Sequence, residues 1–303
     1  GGMGETIPPM AIEINADEVR TPPAPSATVM VLRDSPRGPE VLMMRRHGNS
    51  AVLGGAHVFP GGKLDPQDQA VPIALLDQAP QRLRAALGEP GLDDPMAAGL
   101  YLAALRETFE ECGLLLADGA DGEALRRAEA RIRAGEPFAP TLAALGLPLR
   151  TARLVPWSRW ITPRVASVTR SRFDTRFFLA EAPTGQEACH DNHEATETLW
   201  VLPADGLRQY WDGAIELAPP QILSLRHLAG FASVAALIAA ARSRPPPLVE
   251  PEAFDLDGER AICYPGDPLH SVPKRAWPGP TRLTWRNRRF EPAGGLAELL
   301  PAG

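Results

Sequence analysis

Three carboxylates crowd into one short run, Arg106-Glu107-Thr108-Phe109-Glu110-Glu111-Cys112-Gly113-Leu114, and this run restricts the folded form of the chain more than any other. In a helix, at about 100° per residue, Glu107 and Glu111 lie about 40° apart and Glu110 about 60° to the other side of Glu107. The three share one face. Like charges three and four positions apart destabilise a helix by about 0.2–0.5 kcal/mol per pair, so such a face needs a compensating cation. A divalent metal ion is the natural one. Acidic runs often mark only a solvated helix face. Here, however, Leu100, Ala103, Ala104, Leu114 and Leu115 bracket the acids, Asp93-Asp94-Pro95 supplies a start signal and Gly113 a stop. The acids therefore stand on a bounded helix that packs against a core.

Upstream, a short apolar stretch from Gly55 runs into Pro60-Gly61-Gly62 and Lys63-Leu64-Asp65. It reads as a strand ending in a tight turn, where glycine lets the backbone approach a ligand closely. Taken with the acidic helix, the turn resembles the Nudix box, Gly-x5-Glu-x7-Arg-Glu-U-x-Glu-Glu-x-Gly-U, where U is a bulky aliphatic residue. Gly62, Arg106, Glu107, Glu110, Glu111, Gly113 and Leu114 fall on their places. Asp68 stands where the pattern has Glu, Thr108 takes an aliphatic position, and the seven-residue spacer has grown to 37 residues, Gln69 to Leu105. An insertion there need not move either end, because loop-closure entropy rises slowly with length. Pro80–Leu87 within it is expected to be a short helix, either a cap over the cleft or surface decoration.

The enlarged box, Ala56–Asp65 and Arg172–Leu179 together resemble the Nudix branch containing the peroxisomal acyl-CoA diphosphatases and their bacterial relatives, over roughly residues 26–230. A CoA-cleaving signature of the superfamily is met in part: Leu42, Arg45, Gly55, Phe59, Pro60, Gly61 and Gly62 fit, Arg46 replaces a small residue, and no arginine occurs from Asn49 to Val58. The resemblance implies Mg²⁺ or Mn²⁺ held by Gly62, Glu107, Glu110 and Glu111, with Glu107 and Glu111 the principal ligands. It further implies a catalytic role for Glu107, Glu110 and Glu111, and a carboxylate from a later loop, Glu194 or Glu197, as base or metal contact. The implied reaction is hydrolysis of a diphosphate linkage, CoA or acyl-CoA giving 3′,5′-ADP and (acyl-)4′-phosphopantetheine. NADH, ADP-ribose or another nucleoside diphosphate derivative is the alternative substrate class. A non-catalytic ligand sensor on the same fold would be expected to have eroded glutamates, and all three are intact.

Several other polar residues are candidates for substrate contact. Arg172 and Arg176, four apart on a strand, would project from one face together with Phe178 and offer forked cations to phosphate. Asp174 falls on that face too and would serve equally as their partner. Arg45 and Arg46 alternate across their strand, and the partial signature favours Arg45 as the one facing the cleft. His57 would contact a phosphate or act as a base, or else be a core histidine, and Phe59 lies beside it. Arg106, paired with Glu110 at i+4, is expected to orient carboxylates. In His190-Asp-Asn-His-Glu-Ala-Thr-Glu197, the His-x-x-His spacing is a weak zinc signal in what reads as a solvated loop. Trp157, Trp160 and Trp200 are expected in the core.

Thirty-one basic against 37 acidic residues leave a net charge of −6, without the broad positive field that nucleic acid or an anionic membrane requires. A small anionic nucleotide must therefore be met locally. Cys112, Cys189 and Cys263 are odd in number and widely spaced, which suggests neither a disulfide framework nor a zinc knuckle. No early signal-like segment and no apolar run of about 18 residues occurs, so the expected compartment is cytoplasmic.

The chain divides into a tail over 1–25, a Nudix domain over 26–244 with its insertion at about 69–94, and an extension over 245–303 behind Pro245-Pro246-Pro247. The extension is expected to pack on the domain or to serve as the arm of a homodimer. Strands over 27–33 and 39–46 form a hairpin. Strands over 153–161, 172–180 and 197–202 follow, with helices over 122–135, 204–210 and 220–242. This order indicates a mixed sheet between helical layers, the α/β/α sandwich of the Nudix fold.

Overall fold

The computed structural model describes residues 18, 20–48, 55–165, 171–189 and 195–302. The hairpin forms as expected from β1 (Ala24–Ser35) and β2 (Gly38–Arg46). Pro60 then divides an extended segment into β3 (His57–Val58), which pairs with β2, and β4 (Gly61–Lys63), which pairs with β1. Three helices follow: α1 (Pro66–Gln69), α2 (Pro80–Leu87) and the long α3 (Asp94–Cys112). Next come α4 (Gly122–Arg133), α5 (Phe138–Ala144), β5 (Val155–Ile161), β6 (Phe173–Glu181), β7 (Ala195–Val201) and α6 (Pro203–Trp211). After α7 (Pro219–Leu228), α8 (Val234–Arg242) and β8 (Leu248–Val249), the chain closes with β9 (Glu252–Leu256), β10 (Glu259–Cys263), β11 (Arg282–Arg286), β12 (Arg289–Glu291) and α9 (Leu296–Leu299).

The main sheet runs β3-β2-β1-β6-β5-β8, with β7 on the other side of β2. It is mixed: β1 and β6 are parallel, as are β5 and β8, and the other pairs are antiparallel. Period-two alternation sends its side chains into two separate cores. Val29, Val31, Leu42, Met44 and Phe178 join α3 and the inserted helices on one face, whereas Met30, Leu32, Val41, Met43 and Leu179 join α6, α7 and α8 on the other. Burial on both faces gives the three-layer α/β/α arrangement.

The last four strands form an antiparallel sheet in the order β12-β11-β10-β9. Ile262, Tyr264, Leu283 and Phe290 carry it into the second core, and Trp277 stacks on Trp160 at 5.6 Å and 7°. The extension thus packs on the sheet it follows. One expectation fails locally. The apolar stretch over 220–242 is two helices, because the chain turns at Gly230 and Ser233 caps a new start by accepting from Ala236 N. The helix α5 carries no N-cap hydrogen bond from a side chain and has no start signal in the sequence beyond Pro137. Among the described residues no helix is long and apolar enough to cross a membrane.

Candidate active site

The helix α3 owes its placement to local chemistry. Asp93 caps its start by accepting from Met96 N at 2.8 Å, and Gly113 ends it at φ +70°, a conformation glycine adopts without a Cβ penalty. Gly99 lets it settle closely on its neighbours: a Cβ there would lie 2.9 Å from Gln69 Cγ and 3.0 Å from Leu64 Cδ1. This contact seats the amino-terminal half of α3 on Leu64 and Gln69, and the rest of the helix runs on past β4.

Glu107 consequently sits directly under Gly62. A Cβ on Gly62 would fall 2.5 Å from both Cδ and Oε1 of Glu107, closer than atoms can approach, so any other residue here would push the carboxylate aside. Gly61 N donates to Glu111 Oε2 at 3.4 Å, and the Glu107 and Glu111 carboxyls stand close enough that protonating either one lets it donate to the other. Glu111 is buried, and Glu107 nearly so.

Beside them Arg106 acts as a buried hub. Its Nε and Nη2 donate to Asp68 at 2.9 and 3.0 Å, its Nη1 donates to Glu107 at 3.0 Å and Glu110 at 3.1 Å, and Nη2 also reaches the Lys63 carbonyl. Asp68, 2% exposed, additionally accepts from Asp65 N at 2.8 Å. The carboxylate whose approach the long insertion left open therefore anchors the arginine that holds Glu107 and Glu110. Burial disfavours charge on Arg106, but these three carboxylates outweigh it and hold the guanidinium firmly protonated. Burial likewise pushes the Glu107 and Glu110 carboxyls above the usual carboxylate range, with Arg106 opposing.

A cleft of about 530 Å³ opens over this pair. Phe59, Gly62, Glu107 and Glu111 line it together, as do Arg46, Lys63, Thr28, Thr175, Phe173 and Gln221. Glu110 does not: its side chain is turned onto Arg106. From β2 it is Arg46, and not Arg45, that lines the cleft. A register irregularity in the β2–β7 pairing falls between these two residues, and Arg45 stands opposite His57 and Glu197.

The strand β6 corrects a second expectation. Phe173 and Thr175 face the cleft, so Arg176 and Asp174 point to the opposite face. Arg176, 4% exposed, donates to Glu89 at 3.0 and 2.7 Å and pairs with Asp174, which also takes both prongs of Arg159. Arg172 donates to the Thr162 and Thr21 carbonyls. Neither arginine reaches the cleft, and Asp174 is the partner that the same-face arrangement allowed.

His57 is buried, with Nε2 hydrogen-bonded to Glu197 Oε1 at 2.9 Å. Burial lowers its pKa, Glu197 works against that, and Arg45 adds to it. Glu194, His190 and His193 lie outside the described residues. Trp157 and Trp160 are core residues, while Trp200 carries the Arg33 guanidinium 4.3 Å above its ring.

Lys63, absent from the expected contacts, projects into the cleft with Nζ 5.6 Å from the Phe173 ring. A signal for it did exist. Arginine is used almost throughout, and lysine occurs only here and at 274.

The donor chemistry suits a hard divalent ion. Among the described residues no group of three His, Cys, Asp or Glu side chains stands ready to enclose a metal. Glu107 and Glu111 nonetheless converge beneath a glycine, and Mg²⁺ is usually held by one or two carboxylates with water and substrate phosphates completing the shell. The fit is to an ion completed by its substrate, not to a closed protein cage.

The family described as the NUDT19 Nudix domain matches residues 12–228. Proteins named acyl-coenzyme A diphosphatase NUDT19 from Gallus gallus and Homo sapiens are each 31% identical, over 254 and 238 residues, covering 66% of this chain. The matches cover 64% and 63% of those relatives, so the chain spans less than two thirds of their length. A NUDIX hydrolase crystal structure from Alicyclobacillus acidocaldarius is 28% identical, with a TM-score of 0.57, and the alignment covers 75% of this chain and 98% of that one.

Proposed function

The chain belongs to the NUDT19 Nudix domain family, and on that premise we propose that it is a Nudix diphosphatase that hydrolyses CoA or acyl-CoA to 3′,5′-ADP and (acyl-)4′-phosphopantetheine. The observation that carries this reading is the Glu107 carboxylate packed against Gly62, at the floor of a cleft whose walls bring Arg46 and Lys63 to an anionic ligand. The names of the relatives supply the substrate class.

In this reading Glu107 and Glu111 would hold Mg²⁺ or Mn²⁺ with the Gly62 carbonyl, and Glu110 stands nearby on Arg106. An ion held there would supply charge neutralisation for the diphosphate and a more acidic water. The remaining work falls to the chain itself. Arg106, fixed by Asp68, keeps the carboxylates in place, so little reorganisation accompanies the reaction. Lys63 and Arg46 balance the phosphates. Water attacks one phosphorus in line, and the opposite phosphate oxygen leaves with the other half of the substrate. Glu194, or Glu197 once released from His57 and turned toward the cleft, would take the proton from water.

The test is a panel of CoA, acyl-CoAs, NADH and ADP-ribose with each metal, read by product mass. Release of 3′,5′-ADP from the CoA substrates is expected. Preferential turnover of NADH or ADP-ribose would move the enzyme to the other substrate class, and no turnover of any would leave a ligand-binding Nudix module. Glu111→Gln should lower turnover by about a hundredfold or more, the scale of losing one preorganised charge.

A further inference from the structure

A second cavity, of about 720 Å³, opens where α2, the start of β5 and the end of α8 meet. It shares no lining residue with the cleft. Val155 on its wall pairs with Leu179, four to six residues along β6 from Thr175 and Phe173, a separation of roughly 13–20 Å at 3.3 Å per residue.

Its walls carry Arg82, Arg242 and Arg244 and, among the described residues, no carboxylate. That is unusual in a chain of net charge −6 whose arginines are typically answered by acids: Arg84 by Asp94, Arg159 and Arg176 by Glu89 and Asp174, Arg282 by Asp267. Arg82, Arg242 and Arg244 make no ion pair among the described residues.

Arg244 is also held in place. Its guanidinium lies over the Trp157 ring at 4.6 Å, and Nη1 donates to the Trp157 carbonyl at 3.1 Å, while its buried Nη2 has no acceptor. Arg226, on the other side of His227, is not part of the cavity wall. Burial, reinforced by Arg244 and Arg226, pushes the His227 pKa down to about 4, as expected in a local positive field. Arg244 is half-buried, and three guanidiniums gathered on one cavity wall without a counter-charge repel one another, a charge that an anion in the cavity would answer. Forked, permanently charged donors match phosphate oxygens, and Leu154, Val155 and Pro156 supply an apolar wall for an organic portion. The size is that of a small-molecule site.

We propose that this cavity is a second, non-catalytic site that takes a phosphorylated small molecule. Because α2 belongs to the insertion, an occupant would tie the insertion to α8 and the sheet.

Calorimetric titration of the full chain with inorganic pyrophosphate in EDTA tests this apart from the proposed catalysis, since no divalent ion is then available to bridge phosphate to Glu107 and Glu111. Saturable binding is expected, retained in Lys63→Ala and weakened by at least about tenfold in Arg82→Ala/Arg242→Ala. Both arginines are exposed, so the double variant should melt like the parent; should it not, the two single variants carry the same comparison. Adenosine 3′,5′-bisphosphate and 4′-phosphopantetheine form the second arm. Tighter binding of either names the organic portion, and equal binding of all three assigns the site to phosphate alone. No saturable heat, or binding undiminished in the arginine variants, overturns the proposal.

Discussion

Replacing Gly62 by alanine separates catalysis from folding at this site. The added Cβ would lie 2.5 Å from Cδ and Oε1 of Glu107 and 3.0 Å from Oε2. Ordinary contact needs about 3.5 Å, so the carboxylate must move by roughly 1 Å. It can do so cheaply, being the end of a flexible side chain, and Gly62 does not occupy the left-handed region, so the backbone tolerates alanine. A displacement of that size in a preorganised group costs turnover on the order of a hundredfold. Gly61→Ala provides the contrast. Its Cβ would meet the Ala27 carbonyl oxygen at 2.4 Å and Thr28 Cα at 2.8 Å, backbone that cannot move aside, and should destabilise the fold by about 1–3 kcal/mol. The assay is metal-dependent hydrolysis of acyl-CoA alongside thermal melting of both variants. Near-parental turnover in Gly62→Ala, with the same metal requirement, would refute the idea that Glu107 works from beneath this glycine.

Other outcomes follow from the same contacts. Arg106→Ala should destabilise the protein by about 3–5 kcal/mol in chemical denaturation, because it strands the buried Asp68 carboxylate. Burial raises the Glu107 and Glu110 pKa values above their usual 4.5, so the metal-free fold holds their contribution below that pH and loses it as pH climbs through the raised values. Added Mn²⁺ should therefore raise the melting temperature more at pH 8 than at pH 5, and an equal rise at both would contradict the assignment. Glu89→Ala leaves Arg159 and Arg176 sharing Asp174 alone; limited proteolysis should then cut the 70–92 region faster, with turnover little changed.

The sequence made α3 legible because its boundaries rest on local chemistry, the Asp93 cap and the Gly113 stop. Gly62 was legible for a similar reason, since a glycine at a strand end announces close approach. What escaped depends on parity and distance. Whether Arg176 or Thr175 meets the cleft is a one-residue question in β6, and a shift by one exchanges every side chain between faces. Arg46 displaced Arg45 for a comparable reason, a pairing irregularity that no local pattern announces. The Asp68–Arg106 pair spans 38 positions, so the role of Asp68 appears only once α1 and α3 are packed together. The helix break at Gly230 was hidden because both halves are apolar enough to be buried.

The most direct test of the account is the anomalous scattering of manganese in crystals soaked with the ion, in the parent chain and in Glu107→Gln/Glu111→Gln. A peak about 2.1 Å from a carboxylate oxygen of both Glu107 and Glu111, lost in the double variant, is the predicted result. A manganese peak elsewhere that persists in the variant, with both carboxylates uncoordinated in the parent, would contradict it.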